Sequence, residues 1–174
     1  MPIPEFIVET RKKIGTDLMW VPSVCAVVLR DSTVDSPWAV PDVLLVRRAD
    51  NGQWTPVTGI VDPGEEPHVA AVREVLEETG VKVTAAAIVG VGSHGPVTHC
   101  NGDQASYMTV QIRCEPLDPS VEPAVGDDEN TEAGWFPVSQ MPVTDPKWRL
   151  AIGDAAAQRR HPGSFAPRMG LSKR

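Results

Sequence analysis

Basic charge is scarce in this chain, and so are cysteine and long apolar runs. The 174 residues carry 16 Lys and Arg against 23 Asp and Glu, a formal net charge of −7. Such a surface offers a polyanion little general attraction, so nucleic acid is not an expected partner. No stretch approaches the ~18–20 consecutive apolar residues that cross a bilayer, and no membrane association is expected. The N-terminus, MPIPEFIVETRKK, lacks the apolar block of a signal peptide. Cys25, Cys100 and Cys114 are odd in number and form no CxxC pair. They read as reduced, partly buried thiols of a cytoplasmic protein. His94, His99 and Cys100 match no zinc spacing.

What is present suits one folded domain. The length holds one core and is short for two. An apolar fraction of 41% supports folding, and neither an internal repeat nor an interdomain linker is visible. Residues 1–160 are expected to form a single domain with a short N-terminal helical lead, and 161–174 a basic C-terminal tail. From Lys147 onward seven Lys and Arg face one acidic residue, which reads as a basic helix and tail.

Taken in order, Phe6 to Ile14 predicts a short helix with Phe6, Ile7 and Ile14 inward. Leu18 to Arg30 is β-branched and reads as strand, with Pro22 requiring an edge or bulge. Asp31 to Pro41 is a loop. Asp42 to Arg48 is a strand, Ala49 to Gly52 a turn with an Asn-Gly signal, and Trp54 to Thr58 extended. Val81 to Gly92 predicts strand, Ser93 to Asp103 turns, and Ala105 to Cys114 strand. Glu115 to Asn130, rich in proline and acid, reads as a flexible loop. Glu132 to Val138 is a short strand, and Lys147 to Arg160 a helix. Trp20, Trp54 and Tyr107 are either core aromatics or stacking surfaces for a base. Mixed strands with a few helices imply a layered α/β or α+β domain.

The chemistry concentrates in GIVDPGEEPHVAAVREVLEETGV, Gly59 to Val81. Pro67 suits a first helical turn, and Gly80 the position just past the end. At 100° per residue, Val69, Val72, Val75, Leu76 and Thr79 gather on one side, while Glu74, Glu77 and Glu78 gather opposite. Three carboxylates thus converge beside a glycine-punctuated loop carrying Asp62 and Glu65. They are either a solvated acidic face or an oxygen-rich site for a hard divalent cation such as Mg2+. Position favours the second. Glu77 and Glu78 occupy the last turn, where the helix dipole disfavours anions by about 0.3–1 kcal/mol each.

The same stretch resembles the Nudix family. Gly59, five residues, Glu65, seven residues, then Arg73-Glu74-Val75-Leu76-Glu77-Glu78-Thr79-Gly80-Val81 fills every specified position of G-x5-E-x7-R-E-U-x-E-E-x-G-U, with U a bulky apolar residue. Many relatives have Gly-Gly where this chain has Thr58-Gly59. The resemblance implies an α/β/α sandwich around a mixed sheet. It also implies a hydrolase that cleaves the pyrophosphate link of a nucleoside diphosphate joined to another moiety, with Mg2+ as cofactor and Mn2+ as substitute. Glu74, Glu77, Glu78 and the carbonyl of Gly59 are the implied metal ligands. Arg73 and Glu65 are the implied support, pairing helix to loop. Arg47 and Arg48 stand where relatives place a phosphate-contacting arginine.

The water-activating base is expected from the box, at Glu74 or Glu77, or from the acids before Trp135, among which Glu129 is the best single choice. The family's substrates leave two classes open, ADP-ribose-like compounds and nucleoside triphosphates. Pro96, fifteen residues past Val81, matches a mark of many ADP-ribose pyrophosphatases and is equally a turn proline. The expected partner is a small nucleotide, with a homodimer admitted. The alternative is a Nudix-like domain that senses a nucleotide without cleaving it. Intact box glutamates argue for the enzyme.

Overall fold

The computed structural model describes residues 3–34, 39–99 and 101–170. Cys100, part of the 31–41 loop and the last four tail residues therefore lie outside the described residues. The elements are α1 (Glu5–Ile14), β1 (Met19–Arg30), β2 (Asp42–Arg48), β3 (Trp54–Thr55), β4 (Val57–Ile60), α2 (Pro67–Thr79), β5 (Val83–Thr98), β6 (Gln104–Pro116), β7 (Asn130–Pro137), α3 (Pro146–Arg160) and β8 (Arg168–Met169). Among the described residues no helix is long and apolar enough to cross a membrane.

The long strand β1 organises a mixed sheet. It runs parallel to β6 from Met19 to Val28. On its other side Ser23–Ala26 pairs antiparallel with β4, and Leu29 and Arg30 pair with β2. Pro22 falls just outside the β4 ladder, where its missing N–H leaves no gap. Beyond β6 lie β5 and then β8, and β2 also pairs with β7.

Alternation along β1 divides the core. Val24, Ala26 and Val28 face α2 and meet Ala70, Ala71 and Val75. Cys25, Val27 and Leu29 face α3 and meet Trp148, Ala151, Ile152 and Ala155. The two faces give an α/β/α sandwich, as expected. Near the start of β1, Met19 and Val21 are covered by Phe6, Ile7 and Ile14 of α1, the three residues expected inward.

Two elements differ from the sequence reading. Strand β5 runs through Gly95-Pro96 to Thr98 rather than stopping at Gly92, because register shifts at Ala85/Ala87, Ile88/Gly90 and His94/Val97 absorb its irregular residues. The 117–129 segment has no helix or strand, yet it is tied down. Leu117 N–H donates to the Lys82 carbonyl (2.9 Å), Ala124 to Thr79 (3.0 Å) and Gly126 to Glu78 (2.9 Å). Arg30, buried beside Asp42 and over the ring of Trp135, donates to the Pro119 carbonyl at 2.9 Å. In the 161–170 stretch, Phe165 packs on the α3 face and β8 pairs with β5.

Candidate active site

Helix α2 begins at Pro67 and is closed by Gly80 in the left-handed conformation (φ 70°), as the sequence predicts. Its rotation about its axis is not as predicted. Val69 and Leu76 are 48% and 43% exposed, whereas Glu74 and Glu78 are 2% and 4% exposed. The sheet takes the small Ala70 and Ala71, which let the helix approach closely. That rotation turns two carboxylates inward and excludes a fully solvated acidic face. Only Glu77 remains in solvent, its side chain 43% exposed.

Each glutamate has its own surroundings. Glu74 reaches over β4, where a Cβ on Gly59 would overlap its carboxylate. Glycine is required there by close approach. Glu74 also accepts from Arg73 at 3.0 Å. Glu78 accepts from the buried Asn130 amide at 2.8 Å. Glu77 pairs with Arg73 at 3.3 Å. Burial is the main cause that pushes Glu74 up to about 7 and Glu78 up to about 8, with neighbouring carboxylates adding to it.

The three carboxylates of the box are each held by a different neighbour. Among the described residues no three His, Cys, Asp or Glu side chains are already grouped as a ligand set. Each of the three glutamates takes an arginine or amide donor, and they stay near enough for Glu77 to help raise Glu74 and for Glu74 to help raise Glu78. The donors still fit a divalent ion. They are all oxygen, two are buried carboxylates, and the missing side chain of Gly59 lets Glu74 come down onto β4.

Arg73 joins helix to loop as expected. It donates to Glu65 at 2.9 and 2.8 Å and to the Ile60 carbonyl at 3.1 Å. The Arg73 guanidinium holds the Glu65 carboxyl below its usual range. Of the two strand-end arginines, Arg48 borders a cavity of about 360 Å3 together with Gly59, Glu74 and Glu129. Arg47 is not among that cavity's lining residues and pairs with Glu132 at 2.6 Å while donating to the Gly52 carbonyl. Arg48 is itself paired, donating to both carboxylate oxygens of Asp50 at 3.0 Å, and β2 shifts register against β7 between the two arginines.

Glu129 is set by backbone bonds. Its carbonyl accepts from Ala49 N–H at 2.7 Å, and its N–H donates to Asp127 at 3.1 Å. Its charge helps to raise both Glu74 and Glu78. Two residues at the site escaped sequence reasoning. Asn130 orients Glu78, and Gly126 sits where a Cβ would overlap the Glu77 carbonyl. Neither carries a local signal, since each is defined by a contact with a helix some fifty residues earlier.

Comparison with known proteins points to one family. Residues 19–157 match the NUDIX domain model. A putative 8-oxo-dGTP diphosphatase of Bacillus subtilis is 51% identical over 49 residues, covering 28% of this chain and 33% of that protein. The match to a MutT-like protein of Streptomyces ambofaciens likewise covers 32% of it, so the chain spans about a third of the length of these curated relatives. An ADP-ribose pyrophosphatase from Streptococcus suis superposes with a TM-score of 0.62 at 20% identity, covering 86% of this chain and 98% of that one. A UDP-X diphosphatase gives 0.61 at 19% identity, covering 95% and 74%. With the sandwich, the box and this domain match together, the chain belongs to the Nudix family.

Proposed function

We propose that the protein is a Mg2+-dependent pyrophosphohydrolase acting on a nucleoside diphosphate linked to another moiety. The observation that carries it is the burial of Glu74 beside a cavity that also holds Arg48 and Glu129, with Glu78 buried one turn further along the same helix. Two carboxylates taken out of water are costly even with Arg73 and Asn130 as donors, which favours a divalent cation as their counter-charge.

Glu74, Glu77, Glu78 and the Gly59 carbonyl would hold the ion. When bound, it neutralises phosphate charge and lowers the pKa of water. Arg48 faces the same cavity and suits a phosphate oxygen. Arg73 and Glu65 fix the helix against the loop, so the carboxylates keep their aim. Glu129 lines the same cavity and is not among the proposed ligands; it is the proposed acceptor of a proton from the attacking water.

The test is a panel of nucleoside diphosphate derivatives and nucleoside triphosphates, with phosphate released by a coupled phosphatase. Turnover is expected on at least one, lost in excess chelator and restored by Mg2+ or Mn2+. Full activity in chelator would remove the metal assignment. Tight binding with no turnover on any compound would leave a nucleotide sensor.

A further inference from the structure

The cavity beside Glu74 has two ends. Gly59 and Glu74 lie at one, on the β4 side. Strands β4, β1, β6 and β5 follow one another across the sheet, so β5 lies three strand spacings away, roughly 14 Å. There the wall is made by His94, Tyr107 and Thr109, and by Asp145, Lys147 and Trp148 at the start of α3. The cavity as a whole carries both signs, Glu74, Glu129 and Asp145 against Arg48 and Lys147, and both cations are engaged. Arg48 pairs with Asp50, while Lys147 lies 3.8 Å from Asp145 and over the ring of Trp148. At the β5 end a ligand therefore meets a compensated pair and aromatic surface. That suits an uncharged heterocycle better than a further phosphate.

The hydroxyls of this wall already have partners. Those of Ser23 and Thr109 bond each other at 2.8 Å, and that of Tyr107 bonds His99 Nε2 at 2.9 Å. His94 differs. It sits opposite Tyr107 across β5 and β6, and the two rings stack with centroids 5.0 Å and planes 14° apart. The stack fixes the plane of the imidazole. Its Nδ1 is buried without a hydrogen-bond partner among the described residues, and Nε2 is the ring nitrogen left open to the cavity. A doubly protonated ring needs two acceptors. The buried side offers none, so the ring is neutral. Burial, with Lys147 adding to it against Asp145, holds the ring below its ordinary pKa. Buried N–H groups are rarely left orphaned, bare acceptors more often, which places the proton on Nε2.

Resting on the nucleotide reading above, we infer that His94 is a specificity-determining residue: its Nε2–H donates to an acceptor on the edge of the substrate's nucleobase, and Tyr107 positions it by holding the ring plane. With the phosphates at the Glu74 end, the base is the part of a nucleotide that reaches the β5 wall.

Titration calorimetry of the full chain with Mg2+ would compare AMP, GMP, CMP and UMP with ribose 5-phosphate, which keeps sugar and phosphate and has no base. None of the five contains a pyrophosphate link, so none is consumed. At least one nucleotide should bind about tenfold tighter than ribose 5-phosphate. His94→Phe, which keeps the stack and loses the donor, should weaken that nucleotide about tenfold and leave ribose 5-phosphate within about twofold. His94→Gln, whose amide reaches the place of Nε2, should keep most of the affinity. His94→Asn, whose shorter amide matches Nδ1, should not. A packing role alone would weaken every ligand alike. Equal loss for ribose 5-phosphate, rescue by Asn instead of Gln, or unchanged affinity in His94→Phe would overturn the contact. So would a parent that binds no nucleotide better than ribose 5-phosphate. The substrate panel keeps the two readings apart. Hydrolysis with base-independent binding removes the contact and leaves the hydrolase, and base-dependent binding without hydrolysis does the reverse.

Discussion

Helices α2 and α3 cover opposite faces of one sheet and are built to different ends. Helix α3 buries Trp148, Ala151, Ile152 and Ala155. Its cap is made by Asp145, which accepts from Lys147 N–H at 2.9 Å, and Arg159 and Arg160 stand in its last turn. Each feature follows the rules for a stable helix. Helix α2 has no side-chain cap and no basic residue in its last turn, and it buries two carboxylates. The difference teaches where stability is made and where it is given up. The α3 face offsets what the α2 face costs, and the cost falls on the residues proposed to hold metal.

The comparison can be broken by substitutions on either face. The largest effect is expected from Glu77→Gln or Glu78→Gln. Either should remove most activity while leaving the melting temperature of the metal-free protein unchanged or raised, because each charge opposes the dipole and Glu78 is buried. A large fall in melting temperature would mean that α2 is held by its carboxylates, and the contrast with α3 would vanish. Next, Glu129→Gln should lower kcat by about 10²–10⁴-fold, the range for losing a general base, with metal affinity unchanged by titration calorimetry. A loss under threefold would put the base elsewhere, with Asp128, Glu132 or Glu74 to be tried next.

On the other face the effect of Ile152 should be thermodynamic, while the start of α3 at Asp145 and Lys147 also borders the candidate cavity, so only the stability change is predicted for Asp145. Ile152→Ala, fully buried, should cost about 2–5 kcal/mol in urea unfolding and leave kcat of the folded protein within twofold or so, as expected of a site remote from the chemistry. Smaller still, Asp145→Ala should cost about 0.5–2 kcal/mol through the lost cap. If Ile152→Ala abolished turnover in protein that remained folded, the division of labour between the helices would be wrong.

The same contrast explains what was legible in the sequence. The ends of α2 were legible because Pro67 and Gly80 act locally. The Arg73–Glu65 pair was legible through the spacing of the family motif. The rotation of α2 was not, because counting apolar side chains favours the larger Val69 and Leu76. What decides the packing is the closeness that Ala70 and Ala71 permit. The continuation of β5 through Gly95-Pro96 was hidden for a similar reason. Turn residues inside a strand are accommodated by register shifts that only the partner strand reveals. The partner of Glu78 was hidden too, since a helical wheel places Cα directions and says nothing of Asn130.

The backbone bonds from Ala124 and Gly126 to the last turn of α2 have a mechanical consequence. The segment that delivers Glu129 cannot swing out without unpairing carbonyls of the helix that carries Glu74, Glu77 and Glu78. At its other end, the Glu129 carbonyl is fastened to Ala49, next to Arg48. Acid, arginine and carboxylate helix therefore form one frame. Lengthening the 117–125 stretch would be felt as misalignment of that frame rather than as a slower gate.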